Sequence, residues 1–125
     1  MMKRILTMTC VGLFFLGCSA HLHTGGDRVF VYVSNGAVQC ESDGVCPGVT
    51  AGPLAAAGIA VHGSRCGLLS GGVIAQCGAK TLEIHLHLID AGQVEMASRL
   101  GYLPADSLKE GEDPGFSFVS CREGC

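Results

Sequence analysis

Three absences bound what this chain of 125 residues can be. No apolar run after residue 20 approaches the roughly 20 residues that a helix needs to cross a bilayer, because Gly, His or charged residues interrupt each one. No cluster of Lys and Arg exists, which argues against nucleic acid or anionic lipid as a partner held by charge. No nucleophile elbow, phosphate-binding glycine loop or metalloprotease helix appears, so no enzyme class is indicated. Gly71-Gly72 and the other glycines lack nucleotide-fingerprint spacing and read as turns.

The N-terminus carries the strongest positive signal. Lys3 and Arg4 precede the apolar run Ile5 to Leu16, and Gly17-Cys18-Ser19 follows before the chain turns polar at His21-Leu22-His23. This is the layout of a secretory signal rather than a membrane span, since the run is too short. Gly17 before Cys18 resembles a bacterial lipobox, in which the cysteine is lipidated and becomes the new N-terminus. Phe15 and Leu16 depart from the usual residues of that pattern. The rival reading is cleavage after Ala20 at Cys18-Ser19-Ala20, and it stays open. By resemblance to lipoprotein sorting, Ser19 points to the outer membrane, facing the periplasm; a soluble periplasmic protein is the alternative. The expected organisation is a signal over 1–17, a tether over 18–27 and one α+β domain over 28–125. About 108 residues after the cut suffice for one core. They carry six basic and eleven acidic side chains, a net charge of −5 with histidines neutral.

With Cys10 in the signal and Cys18 assigned to lipid, Cys40, Cys46, Cys66, Cys77, Cys121 and Cys125 remain. An even set in a small exported chain reads as a disulfide framework. Cys66 and Cys77 stand symmetrically about Gly71-Gly72, and a two-residue turn there would place them opposite one another. Facing strand residues lie about 4.5 or 5.5 Å apart, within reach of a bridge. Cys66–Cys77 is therefore the preferred pair. Cys40–Cys46 and Cys121–Cys125 complete the set most simply, though a bridge from the C-terminal tail to the first loop is nearly as favourable. The spacings do not match zinc-binding pairs. A thiol-redox role for Cys121 and Cys125 is a third-ranked function, weakened because no helix can follow them to lower a thiolate pKa. His62 near Cys66 would be a Cys-His pair only if Cys66 were unbonded.

Val29 to Val33 is a β-branched and aromatic strand bounded by Ser34-Asn35-Gly36. A Gly-rich, cysteine-clamped loop is expected over 40–52, then a short helix over Pro53 to Ala57 with Gly58 as its stop and Ile59 to Val61 as an extended restart. After the Gly-Gly hairpin, Thr81 to Ile89 alternates. Leu82, Ile84, Leu86 and Leu88 face the core, with Glu83, His85 and His87 on a solvated face. Asp90 is placed as a helix N-cap with Gln93 completing a capping box, Val94, Ala97 and Leu100 point inward, Glu95 and Arg99 pair, and Gly101 ends the helix. Helix, glycine stop and apolar restart thus occur twice, which suggests two similar halves. The acidic loop after Pro104 leads to a last strand, Phe116 to Val119. The order β-α-β-β-α-β is that of a small, disulfide-stabilised antiparallel sheet, ferredoxin-like with one face open.

Ala57-Gly58-Ile59-Ala60-Val61, Cys66-Gly67, Cys77-Gly78-Ala79 and the helix ending at Gly101-Tyr102 together resemble a group of uncharacterised small exported proteins of proteobacteria. The resemblance covers about residues 50–103. It implies a shared fold and disulfide, and no activity.

Chemistry, if present, is expected at Glu83, His85 and His87. Residues two apart on a strand project from one face about 7 Å apart, so two imidazoles could share a copper or zinc ion. The plainer reading is a solvated polar face. His21 and His23 form a second pair, which would chelate copper if cleavage exposed His21 as the N-terminus. The expected function is an envelope-anchored lipoprotein without enzymatic activity, a binding or structural module held to the membrane by its lipid and open to an envelope protein partner. Metal handling through His85 and His87 is the runner-up, with no cofactor otherwise expected.

Overall fold

A computed structural model describes residues 26–125; the signal, Cys18, His21 and His23 lie outside the described residues. The architecture is α+β, with one five-stranded antiparallel sheet, two helices and three disulfides. In chain order the elements are β1 (Arg28–Ser34), α1 (Pro47–Ala56), β2 (Gly63–Leu69), β3 (Glu83–Asp90), α2 (Val94–Arg99), β4 (Leu103–Pro104) and β5 (Phe116–Val119). The sheet order is β4-β1-β3-β2-β5. Through β4 this is β-α-β-β-α-β with β3 inserted between β1 and β2, but the strand that closes the unit beside β1 is Leu103–Pro104 and not Phe116 to Val119, the last strand expected from the sequence. The additional strand β5 extends the β2 edge.

Both helices pack on one face. Val29, Val31 and Val33 of β1 and Ile89 of β3 meet Leu54 of α1, Val94 and Ala97 of α2, and Ile59 and Tyr102. The opposite face is not left open. Ile84 and Leu86 are covered by Ala105 and Leu108 from a 3-10 turn after β4, with Phe30, Tyr32, Leu69 and Phe116 around them. Gly67 makes room for this second core, since a Cβ there would stand 2.6 Å from Leu86 Cδ1.

The two glycine stops are the same device. Gly58 donates to the Ala55 carbonyl and Ile59 to that of Leu54; Gly101 donates to Ser98 and Tyr102 to Ala97, all at 3.0 Å. Both glycines have positive φ, +81° and +94°. These are paired Schellman caps, in which the residue after the glycine turns inward. Ile59 and Tyr102 are accordingly buried in one core.

Several expectations are corrected. The first helix starts six residues earlier than expected, at Pro47, which occupies its first turn, while Pro53 lies inside it. Two prolines suit a helix start, and the earlier one wins because Cys46 is anchored by a bridge. Ile59 to Val61 lies outside the sheet, and β2 begins at Gly63. Asp90 makes no capping bond; it is the last residue of β3, its carboxylate is 3.0 Å from His62 Nε2, and a 3-10 turn over Ala91–Gln93 leads into α2. Val94 and Ala97 do face inward, whereas Leu100 is exposed. Glu95 and Arg99 pair at 2.6 Å as their spacing predicts.

The Gly-Gly hairpin does not form. β2 pairs with β3 in a register that sets Leu68 opposite Glu83 and Cys66 opposite His85, leaving the chain between them as a long loop. Cys66 is bonded to Cys121, Cys40 to Cys77 and Cys46 to Cys125. None of the pairs Cys66–Cys77, Cys40–Cys46 or Cys121–Cys125 exists. The alternative of a bridge from the tail to the first loop is the one realised, between Cys125 and Cys46.

Candidate functional site

The site grows from the central position of β3. A strand with neighbours on both sides and packing on both faces has no solvated face. His85 and His87 share the helix side with Val31 and Val33, their cross-strand partners, and are buried at 2% and 0% exposure. The alternation does set both histidines on one face, but that face is roofed by α1 instead of water. Glu83, at the strand's start, remains exposed.

Buried imidazoles must find partners, and two hydroxyl groups supply them. Thr50 Oγ1 of α1 lies 2.7 Å from His85 Nδ1 and 2.9 Å from His87 Nε2. Ser64 Oγ, on the strand position facing His87, lies 2.7 Å from His87 Nδ1. The Tyr102 hydroxyl donates to the Thr50 carbonyl at 2.5 Å, and its ring meets that of His87 edge-on with centroids 6.1 Å apart. Strand alternation and motif spacing point to neither Thr50 nor Ser64. A signal existed for Thr50: it is the sole hydrogen-bonding side chain in Pro47–Ala56, and a lone hydroxyl on an otherwise apolar helix wants a buried partner.

Counting protons assigns the tautomers. Thr50 Oγ1 also contacts the Pro47 carbonyl at 3.1 Å, which can only accept, so the one hydroxyl proton goes there. Both histidines must then donate to Thr50, His85 from Nδ1 and His87 from Nε2. Neutral His87 accepts from Ser64 at Nδ1, and neutral His85 is left with a bare lone pair on Nε2. Both rings are held neutral by their surroundings. Burial lowers the pKa of His87 to about 4, with repulsion from His85 adding to it. Burial likewise lowers His85, opposed by the Glu83 carboxylate, and burial raises the Tyr102 hydroxyl.

Three of the four ring nitrogens are therefore engaged with hydroxyls, and a shared metal ion would have to displace Thr50. Among the described residues no group of three or more His, Cys, Asp and Glu side chains is placed to hold a metal. Cys121 and Cys125 do not form a dithiol pair with each other, because each is bonded elsewhere.

Beside His85 the helix-bearing face opens past the edge of α1 into a cavity of about 220 Å³. His85, Glu83 and Asp43 line it, together with the Cys66–Cys121 bridge and Arg122 of the C-terminal tail. Arg122 donates to the carbonyls of Asp43 at 3.1 Å and Gly44 at 3.4 Å, tying the tail over the loop. Comparison with protein-family models, curated proteins and solved structures finds no match to this chain.

Proposed function

We propose that the protein is an envelope-anchored lipoprotein, lipidated at Cys18, whose α+β domain is a non-enzymatic binding or structural module facing the periplasm. The observation that carries this reading is that all six cysteines of the described region are used in bridges. Such bridges persist in oxidising compartments, and they follow a lipobox-like Gly17-Cys18 that stands apart from them. A scaffold whose described cysteines are all bonded suits a module that presents a surface. An envelope protein is the partner this reading favours.

The test is intact-mass analysis of protein extracted from the envelope. The expected species begins at lipidated Cys18, and Cys18→Ser moves the protein out of the membrane fraction. A soluble mature chain beginning at His21 would refute the anchor and favour the soluble periplasmic alternative.

A further inference from the structure

We infer that the cavity beside His85 is a binding site for a primary ammonium group. The inference goes beyond the anchored-module reading and stands whether or not Cys18 carries lipid.

The first support is the unused lone pair. His85 is 2% exposed, its Nδ1 is committed to Thr50, and Nε2 has no hydrogen-bond partner among the described residues. Every fully buried side-chain nitrogen and oxygen of a buried or half-buried residue in that region does have a partner. An unpartnered Nε2 on a ring so deeply set is therefore one that opens on the cavity His85 lines. This acceptor is therefore free to take a hydrogen bond from a donor that enters the cavity.

The second support is the sign of the walls. Asp43 and Glu83 contribute carboxylates, neither of them ion-paired among the described residues. The one cation of the wall, Arg122, directs a donor from each of its two terminal nitrogens to backbone carbonyls, and pairs with neither carboxylate. The wall brings an imidazole lone pair and two carboxylate residues to the space, beside the amide of Asn35 and the hydroxyl of Ser120, so that its acidic groups outnumber its one cation. A volume of about 220 Å³ lies below the range of drug-sized sites. An ammonium group supplies three donors and a point charge in a small volume; a guanidinium is larger and planar. A metal ion would need a third close ligand, which the described residues do not provide. The ammonium can belong to a free amine or to a lysine side chain of a partner.

The test uses the oxidised protein with labelled histidines at pH 7, following the ¹⁵N signal of His85 Nε2. Titration with butylammonium should shift that signal saturably, while butyrate and butyltrimethylammonium, which carry no N–H donor, should not. Glu83→Gln and Asp43→Asn, both at exposed positions, should each weaken binding about tenfold, the equivalent of 1.4 kcal/mol, with the amide spectrum otherwise unchanged. Tighter binding of 1,4-diaminobutane than of a capped lysine peptide identifies a free amine as the ligand; the reverse order identifies a partner's lysine. Absence of a saturable shift overturns the inference. So does equal binding by the double variant Glu83→Gln/Asp43→Asn, or a response of Nε2 to zinc or copper without one to the amine.

Discussion

Thr50 is the residue on which the buried polar cluster turns. Thr50→Val keeps the shape and removes the oxygen that accepts from two imidazoles. Each orphaned donor costs about 1–3 kcal/mol, so the variant should lose several kcal/mol in urea unfolding; Thr50→Ser should retain most of the stability. Acid should act through the same cluster. Unfolded, an imidazole titrates near 6.5, whereas folded His87 is held at about 4. Between those values the unfolded chain binds a proton that the folded one refuses, so stability falls as pH drops through that window. Unfolding midpoints measured from pH 7 to 4 should decline, and less steeply in His87→Gln. The strand alternation in the sequence did reveal that His85 and His87 share a face. It could not reveal that face to be covered, because a two-residue period separates two sides of a strand without saying what lies on either.

At the level of elements, glycines separate conformational from steric demands. Gly101 has φ +94° and open space where a Cβ would stand, so Gly101→Ala should cost only about 1 kcal/mol, the penalty for a left-handed residue. Gly115 has φ +86°, and a Cβ there would fall on the backbone of Leu108. Gly115→Ala should therefore leave little folded protein at 37 °C, read by circular dichroism melts of both variants. The helix stops were visible in the sequence because a Schellman cap is local: a glycine, then an apolar residue that turns in. The start of α1 was not, since two prolines offered equivalent beginnings and only Cys46 and its distant partner decide between them. The cavity beside His85 was equally hidden, being assembled from a loop, the start of α1, three strands and the tail.

Across the whole molecule the bridges span 37, 55 and 79 residues and interlock. Removing a native bridge from a small exported domain costs about 2–5 kcal/mol, and each double Cys→Ser variant should lose stability in that range by thermal melting. Local symmetry about Gly71-Gly72 made Cys66–Cys77 attractive, yet register is a property of the sheet. Pairing with β3 carries Cys66 to His85 and leaves it facing the tail. The interlocking has an outcome for the protein's survival of proteolysis. For any peptide bond from residue 40 to residue 125, at least one bridge joins the two sides of the break. A protease that nicks the exposed loop at Val73 or Ile74 would thus liberate no fragment. The clipped chain should run as one band on a non-reducing gel and as two after reduction.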